Sequence, residues 1–227
     1  MKDKKLLSDI KEYLKCYEDQ VLEDWYELIR HISVSETGEG IETCCDWIQK
    51  KMEEIGIQVT KYSVKPAPVL VGRFGNDPEK KTVLIYAHYD VKPAGERKLW
   101  HSDPFVPTVR DGKVYARGSA DNKSPLMAHL KALEYFIRRK MEVPVNVIFV
   151  FEGDEECGSR GLEEFLAEHR TELAADLVFF SDGPKDPSGL PIIALGAKGD
   201  LSIRITVETM NRNVHARYAP VLPSAAW

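Results

Sequence analysis

The chain has 227 residues, with 31 Lys plus Arg against 36 Asp plus Glu; the resulting formal net charge of −5 argues against the basic face of a general nucleic-acid binder. Hydrophobic residues at 43% and charged residues at 30% describe an ordinary globular protein, far from the composition that leaves chains disordered. At ~150 residues per domain the length corresponds to one and a half domains. Apolar runs such as 147–151 fall far short of the ~20 residues a bilayer helix requires, so no membrane association is expected. Asp9, Lys11 and Glu12 interrupt the basic opening, which therefore does not read as a secretory signal. Cys16, Cys44, Cys45 and Cys157 show no C-x-x-C spacing, which points to reduced thiols in a cytoplasmic protein.

Between residues 6 and 29 apolar side chains recur at three- and four-residue steps, predicting one amphipathic helix or two end to end. Ile41, Cys45, Ile48 and Met52 keep that step until Gly56, after which 57–64 shortens its period toward two and reads as a strand. Strands are also predicted at 69–74 and 83–87, the latter apolar throughout as in a buried parallel sheet. Asp111-Gly112 is a turn dipeptide, predicting a hairpin between 106–109 and 114–116. A helix over 122–139, a strand over 145–151, a helix over 161–173 and a short apolar strand over 177–180 follow. Residues 201–208 alternate apolar and polar side chains, predicting a half-wet strand of a different, antiparallel sheet. The order of elements predicts a layered α/β catalytic domain with a mainly parallel sheet over residues 1–197 and the beginning of an α+β domain over 198–227.

The three apolar strands end alike. Residues 83–87 run into His88-Tyr89-Asp90, 147–151 into Glu152-Gly153-Asp154-Glu155-Glu156, and 177–180 into Ser181-Asp182. Carboxyl ends of parallel strands share one edge of an open α/β sheet, so these groups converge although they are far apart in sequence. Asp121, just before the 122–139 helix, adds a fourth acid. Taken singly, Asp121 reads as a helix cap, His88 as a buried core histidine, Glu155 and Glu156 as a solvated turn and Asp182 as a turn residue. Their joint occurrence at equivalent strand ends outweighs those readings. Crowded carboxylates with one histidine make an oxygen-rich donor set suited to zinc, cobalt or manganese. A bridging carboxylate in such a set holds two metals ~3.5–4 Å apart. Asp90 is placed to take the second nitrogen of His88.

These residues resemble a family of di-zinc peptidases and deacylases that includes carnosine dipeptidase, acetylornithine deacetylase, succinyl-diaminopimelate desuccinylase and carboxypeptidase G. The similarity rests on Ala87-His88-Tyr89-Asp90-Val91, on Trp100 with Asp103-Pro104-Phe105, and on Arg110-Asp111-Gly112-Lys113 with Tyr115-Ala116-Arg117-Gly118, Asp121 and Lys123. It continues through Glu152-Gly153-Asp154-Glu155-Glu156-Cys157-Gly158-Ser159 and Ser181-Asp182-Gly183. The resemblance implies a zinc-exopeptidase-like fold and hydrolysis of amide bonds in small peptides or N-acyl amino acids. It assigns His88 and Asp182 to one metal, Asp121 to a bridge, Glu156 to the other metal, Asp90 to the orientation of His88 and Glu155 to the general base. His215, in Val214-His215-Ala216-Arg217-Tyr218-Ala219-Pro220, resembles the histidine of a lid domain that stabilises the oxyanion, often across a homodimer, and this motif leans toward the dipeptidase branch.

Three departures accompany the resemblance. Ser124 stands where a glycine commonly follows the lysine, and Cys157 occupies a variable position. The family's second metal also takes a histidine from a later segment, and His31, His101, His129 and His169 do not match it. The chain is therefore expected to be truncated within its lid, with one firm metal and one weak or absent. The alternative to a peptidase is a catalytically incompetent metal-binding or interaction fragment.

Overall fold

The computed structural model describes residues 2–183 together with 188, 190, 192–193, 199, 201 and 203–207. The chain divides into two compact units, Met1–Pro184 and Lys185–Trp227. The boundary read from sequence, between 197 and 198, lies outside the described residues.

The first unit opens with α1 (Lys2–Arg30), a single helix rather than two, followed by α2 (Ile41–Ile55). Gly56, at φ 97°, closes α2 in the left-handed region that a residue without a β-carbon adopts freely. Strands β1 (Gln58–Tyr62), β2 (Val69–Phe74) and β3 (Thr82–His88) follow, then a short hairpin of β4 (Thr108–Arg110) and β5 (Lys113–Tyr115). Asp111 and Gly112 turn that hairpin, at φ 50° and 70°. Helix α3 (Lys123–Arg138), β6 (Asn146–Glu152), α4 (Leu162–Glu168) and β7 (Leu177–Phe180) complete the order.

Five strands form one sheet in the order β1-β2-β6-β3-β7. β3 pairs in parallel with β6 and β7, whereas β2 is antiparallel to both β1 and β6. Four of the five strands thus run one way, the mainly parallel sheet expected. β2 runs against the rest because only the short 63–68 connection separates it from β1, too little chain for a crossover.

Side-chain alternation on β6 builds three layers. Val147, Phe149 and Phe151 face α2 and α3 in a cluster with Ile48, Met52, Leu126 and Leu130. Ile148 and Val150 face the other way, toward Phe165 of α4 and Leu173. Both faces are covered, so β6 is buried throughout and reads in sequence as an unbroken apolar run. Each fully buried Phe, Leu or Ile contributes ~1.5–3 kcal/mol over its exposed state. Helix α1 joins this stack through Leu28, fully buried in the first cluster, and through Tyr13, edge-on to Tyr135 of α3, and polar contacts add to that packing. Tyr135 donates to Asp9 Oδ2 at 2.6 Å, and Asp24 accepts from Lys51 at 3.2 Å and from Lys131.

Three expectations are corrected. Helix α4 stops at Glu168 instead of 173: His169 is its C-cap residue and packs on Tyr62 and Phe165, with its Nδ1 3.0 Å from Glu172 Oε2. β7 is not a buried strand. Among the described residues it is an edge of the sheet, and Leu177, Val178, Phe179 and Phe180 are 56%, 59%, 48% and 59% exposed. The half-wet strand expected over 201–208 is not formed in its described residues, 201 and 203–207, which are exposed and outside any strand; such a segment needs a pairing partner to satisfy its backbone groups.

Candidate metal centre

Parallel pairing sets the site. β3 and β6 are in register with His88 opposite Glu152, and beyond His88 the chain stays tethered, with Tyr89 N–H donating to Glu152 O at 2.8 Å and Val91 N–H to Ser33 O at 2.8 Å. His88 is fully buried and its Nε2 points to the sheet edge where β7 also ends. Asp121 Oδ1 lies 3.0 Å from that nitrogen and Asp182 Oδ2 3.4 Å, and one donor atom from each of these three residues lies within 4.8 Å of the others. Ligand atoms at ~2.0–2.1 Å from a tetrahedral zinc stand roughly 3.3 Å apart, so the spacing of this nitrogen and two carboxylate oxygens fits a divalent ion. The sequence drew four metal donors together; the structure gathers His88, Asp121 and Asp182.

Glu156 stands apart from that group. Its Oε2 is 3.3 Å from Lys92 Nζ, which also donates to the Glu156 carbonyl. Sequence reasoning gave this carboxylate to a second metal, and in the structure one of its oxygens faces the ammonium. Glu155 Oε2 is 3.7 Å from His88 Nε2, at the margin of the donor group. Burial, followed by the charges of Glu156, Asp182 and Asp90, raises its carboxyl above the ordinary range against the pull of His88. His215 lies outside the described residues.

Asp90 is fully buried and does more than orient the histidine. His88 Nδ1 is 3.3 Å from Asp90 Oδ1 and 3.1 Å from the Asp90 carbonyl oxygen. The same carboxylate accepts the main-chain N–H groups of Glu155, at 3.2 Å, and of Glu156, at 3.0 Å. Burial opposes ionisation of Asp90, but hydrogen bonds from His88 and Ser35, the His88 charge and the Glu156 N–H hold its carboxyl below the usual range. Burial likewise opposes protonation of His88, yet its bond to Asp90 and the charges of Asp90, Glu155 and Asp121 raise it to about 9.

Several supporting residues, some of them quoted in the motifs above, were given no role from sequence. Lys123, the first residue of α3, is 1% exposed and donates to the carbonyls of Leu28, at 3.1 Å, and His31, at 2.6 Å, closing the carboxyl end of α1. Asn122 beside it donates to Ser181 O at 2.8 Å, linking the start of α3 to the segment carrying Asp182. Glu152 is buried and accepts from Ser159, at 2.7 Å, and from Tyr86. Asp154 is paired with Arg160 through two nitrogens of the guanidinium. The available signal was weak: a lysine or acid inside an otherwise buried motif has no periodicity to mark its partner.

Residues 84–227 match the model of the peptidase family M20/M25/M40. Over 172 residues the chain is 40% identical to the Cys-Gly metallodipeptidase of Schizosaccharomyces pombe, which takes in 73% of this chain and 36% of that protein. It is 36% identical over 151 residues to the human Beta-Ala-His dipeptidase, covering 66% of this chain and 30% of that one. Among solved structures, human carnosine dipeptidase 1 superposes with a TM-score of 0.74 at 30% identity, over 78% of this chain and 41% of that chain. The metallo-carboxypeptidase Sso-CP2 from Sulfolobus solfataricus superposes with a TM-score of 0.71 at 36% identity, over 74% and 38% of the two chains. The chain spans about a third of the length of these curated relatives. Sequence and fold agree, and the chain belongs to peptidase family M20/M25/M40.

Proposed function

We propose that the chain carries the catalytic centre of a metal-dependent peptidase that hydrolyses amide bonds of small peptides, dipeptides foremost. The observation that carries this reading is the convergence of His88 Nε2, Asp121 Oδ1 and Asp182 Oδ2 beside Glu155. The names of the relatives, metallodipeptidases acting on Cys-Gly and Beta-Ala-His, favour dipeptides over N-acyl amino acids. Zinc suits one imidazole and two carboxylates, with cobalt or manganese as substitutes. Such an ion, when bound, acidifies a water and polarises a carbonyl. Glu155 takes a proton from the attacking water as its oxygen bonds to the amide carbon, then gives that proton to the departing amine nitrogen as the C–N bond breaks. Asp90 holds the imidazole of His88 and, through the N–H of Glu155, the base beside it.

A second ion would be shared through Asp121 and held by Glu156, and the contact of Glu156 with Lys92 makes this the weaker place. His215 is assigned to oxyanion stabilisation. A homodimer in the cytoplasm is the assembly and location proposed. The second reading is a chain that binds metal without turnover.

The test is elemental analysis after incubation with zinc, joined to hydrolysis assays with Cys-Gly and Beta-Ala-His. Bound zinc with hydrolysis that falls ~10²–10⁴-fold in Glu155→Gln, metal retained, supports the peptidase. Bound zinc without hydrolysis of either peptide supports the metal-binding reading, and failure to bind zinc overturns both.

A further inference from the structure

The loop between β6 and α4 is closed on itself by one buried acid. Asp154 is 4% exposed, and Arg160, six residues on, meets both of its oxygens: Nη2 to Oδ1 at 2.5 Å, Nε to Oδ2 at 2.9 Å, and the Arg160 main-chain N–H to Oδ2 at 3.0 Å. The Asp154 carbonyl accepts the N–H groups of Cys157, at 3.1 Å, and Ser159, at 2.9 Å. Everything between these contacts is one tight turn that contains Glu155. The main chain of Glu155 is engaged at both ends, its N–H by Asp90 Oδ1 and its carbonyl by the N–H of Gly158 at 2.8 Å.

A two-point guanidinium–carboxylate contact fixes direction as well as distance, which a single ammonium does not. Asp90 holds the turn from β3 and the Asp154–Arg160 pair holds it from within, so the Glu155 carboxylate projects from a backbone that cannot rotate away. We propose that Asp154, through Arg160, is a positioning residue for Glu155, setting the placement of the base relative to the substrate carbonyl. This rests on the peptidase reading above. Arg160 touches neither the donor group nor the reacting atoms in this role; it acts through the turn.

The experiment compares the full chain with Arg160→Ala and Arg160→Lys, after zinc loading, by steady-state hydrolysis of Cys-Gly, by zinc affinity and by amide hydrogen exchange across 154–160. In Arg160→Ala, kcat falls about 10- to 100-fold, as small misplacements of a reacting group do. KM and zinc affinity stay within about twofold, because uniform binding and the His88, Asp121 and Asp182 donors are untouched. Exchange at Cys157 and Ser159 accelerates, and Arg160→Lys recovers part of kcat. An active parent chain whose Arg160→Ala variant keeps the parental kcat overturns this proposal alone, as does a fall in zinc affinity that accounts for the lost rate. A parent chain that binds zinc and hydrolyses no peptide overturns the peptidase reading and this proposal with it.

Discussion

A β-carbon placed on Gly153 would stand 2.5 Å from both Cζ and the hydroxyl oxygen of Tyr89 and 2.6 Å from its Cε2. That is about 1 Å inside the ~3.5 Å at which carbon atoms ordinarily touch. The ring cannot step aside, because Tyr89 is fully buried and its hydroxyl donates to Pro68 O at 2.7 Å. Gly153→Ala therefore forces overpacking, which costs ~1–3 kcal/mol. If the ring yields, the bond to Pro68 is lost as well, adding ~1 kcal/mol. The sum is a destabilisation of about 2–4 kcal/mol from one methyl group, read as a fall in the urea midpoint at unchanged slope. The control is the same substitution in a Tyr89→Leu background, which lacks Cε2, Cζ and the hydroxyl. There the added methyl has room and its cost drops to within ~0.5 kcal/mol, giving a large coupling between the two positions. Equal costs in both backgrounds, or a Gly153→Ala protein as stable as its parent, would refute the steric argument.

Three further outcomes are expected. Lys123→Met leaves the carbonyls of Leu28 and His31 without their buried donor and costs ~2–5 kcal/mol, measured by urea unfolding; a neutral effect would mean that water replaces the ammonium there. His129 is lowered below its ordinary 6.5 by burial alone, and its Nε2 is buried without a partner. The unfolded chain therefore takes up this proton first as pH falls, so its contribution is full above pH 6.5 and is lost toward the lower folded value. His129→Leu should flatten the stability profile as pH falls below about 6.5, and an unchanged slope there would refute this assignment. Zinc at about 100 times its dissociation constant should stabilise the chain by ~2.7 kcal/mol in thermal unfolding, and His88→Ala should remove the shift; a shift that persists places the ion elsewhere.

Much of the fold was legible because it depends on periodicity. The uninterrupted apolar run of β6 and the Asp111-Gly112 turn each have a local cause that the chain displays in order. The strand-end rule reached further, bringing His88 and Asp182 to one edge without any knowledge of pairing, while Asp121 was read from its place just before the next helix. What escaped was set by partners distant in sequence. Nothing near Glu156 reveals that Lys92 occupies its carboxylate. Lys123 meets the carbonyls of Leu28 and His31 more than ninety positions away. Asp154, by contrast, has its partner Arg160 only six residues on, but was one acid among several in the motif. The exposure of β7 was invisible for the opposite reason: Leu-Val-Phe-Phe has the composition of a core strand wherever it lies.

The exposed β7 edge has a consequence for how the metal donors are anchored. His88 ends a strand hydrogen-bonded on both sides, whereas Asp182 follows a four-residue strand that, among the described residues, pairs only with β3 and is tied back by the bond from Asn122 to Ser181. Such an edge is where local opening begins. The three donors thus hang from supports of unequal strength, and an ion spanning His88 and Asp182 would act as a rivet at the free border of the sheet, slowing the fraying of β7 more than any other strand.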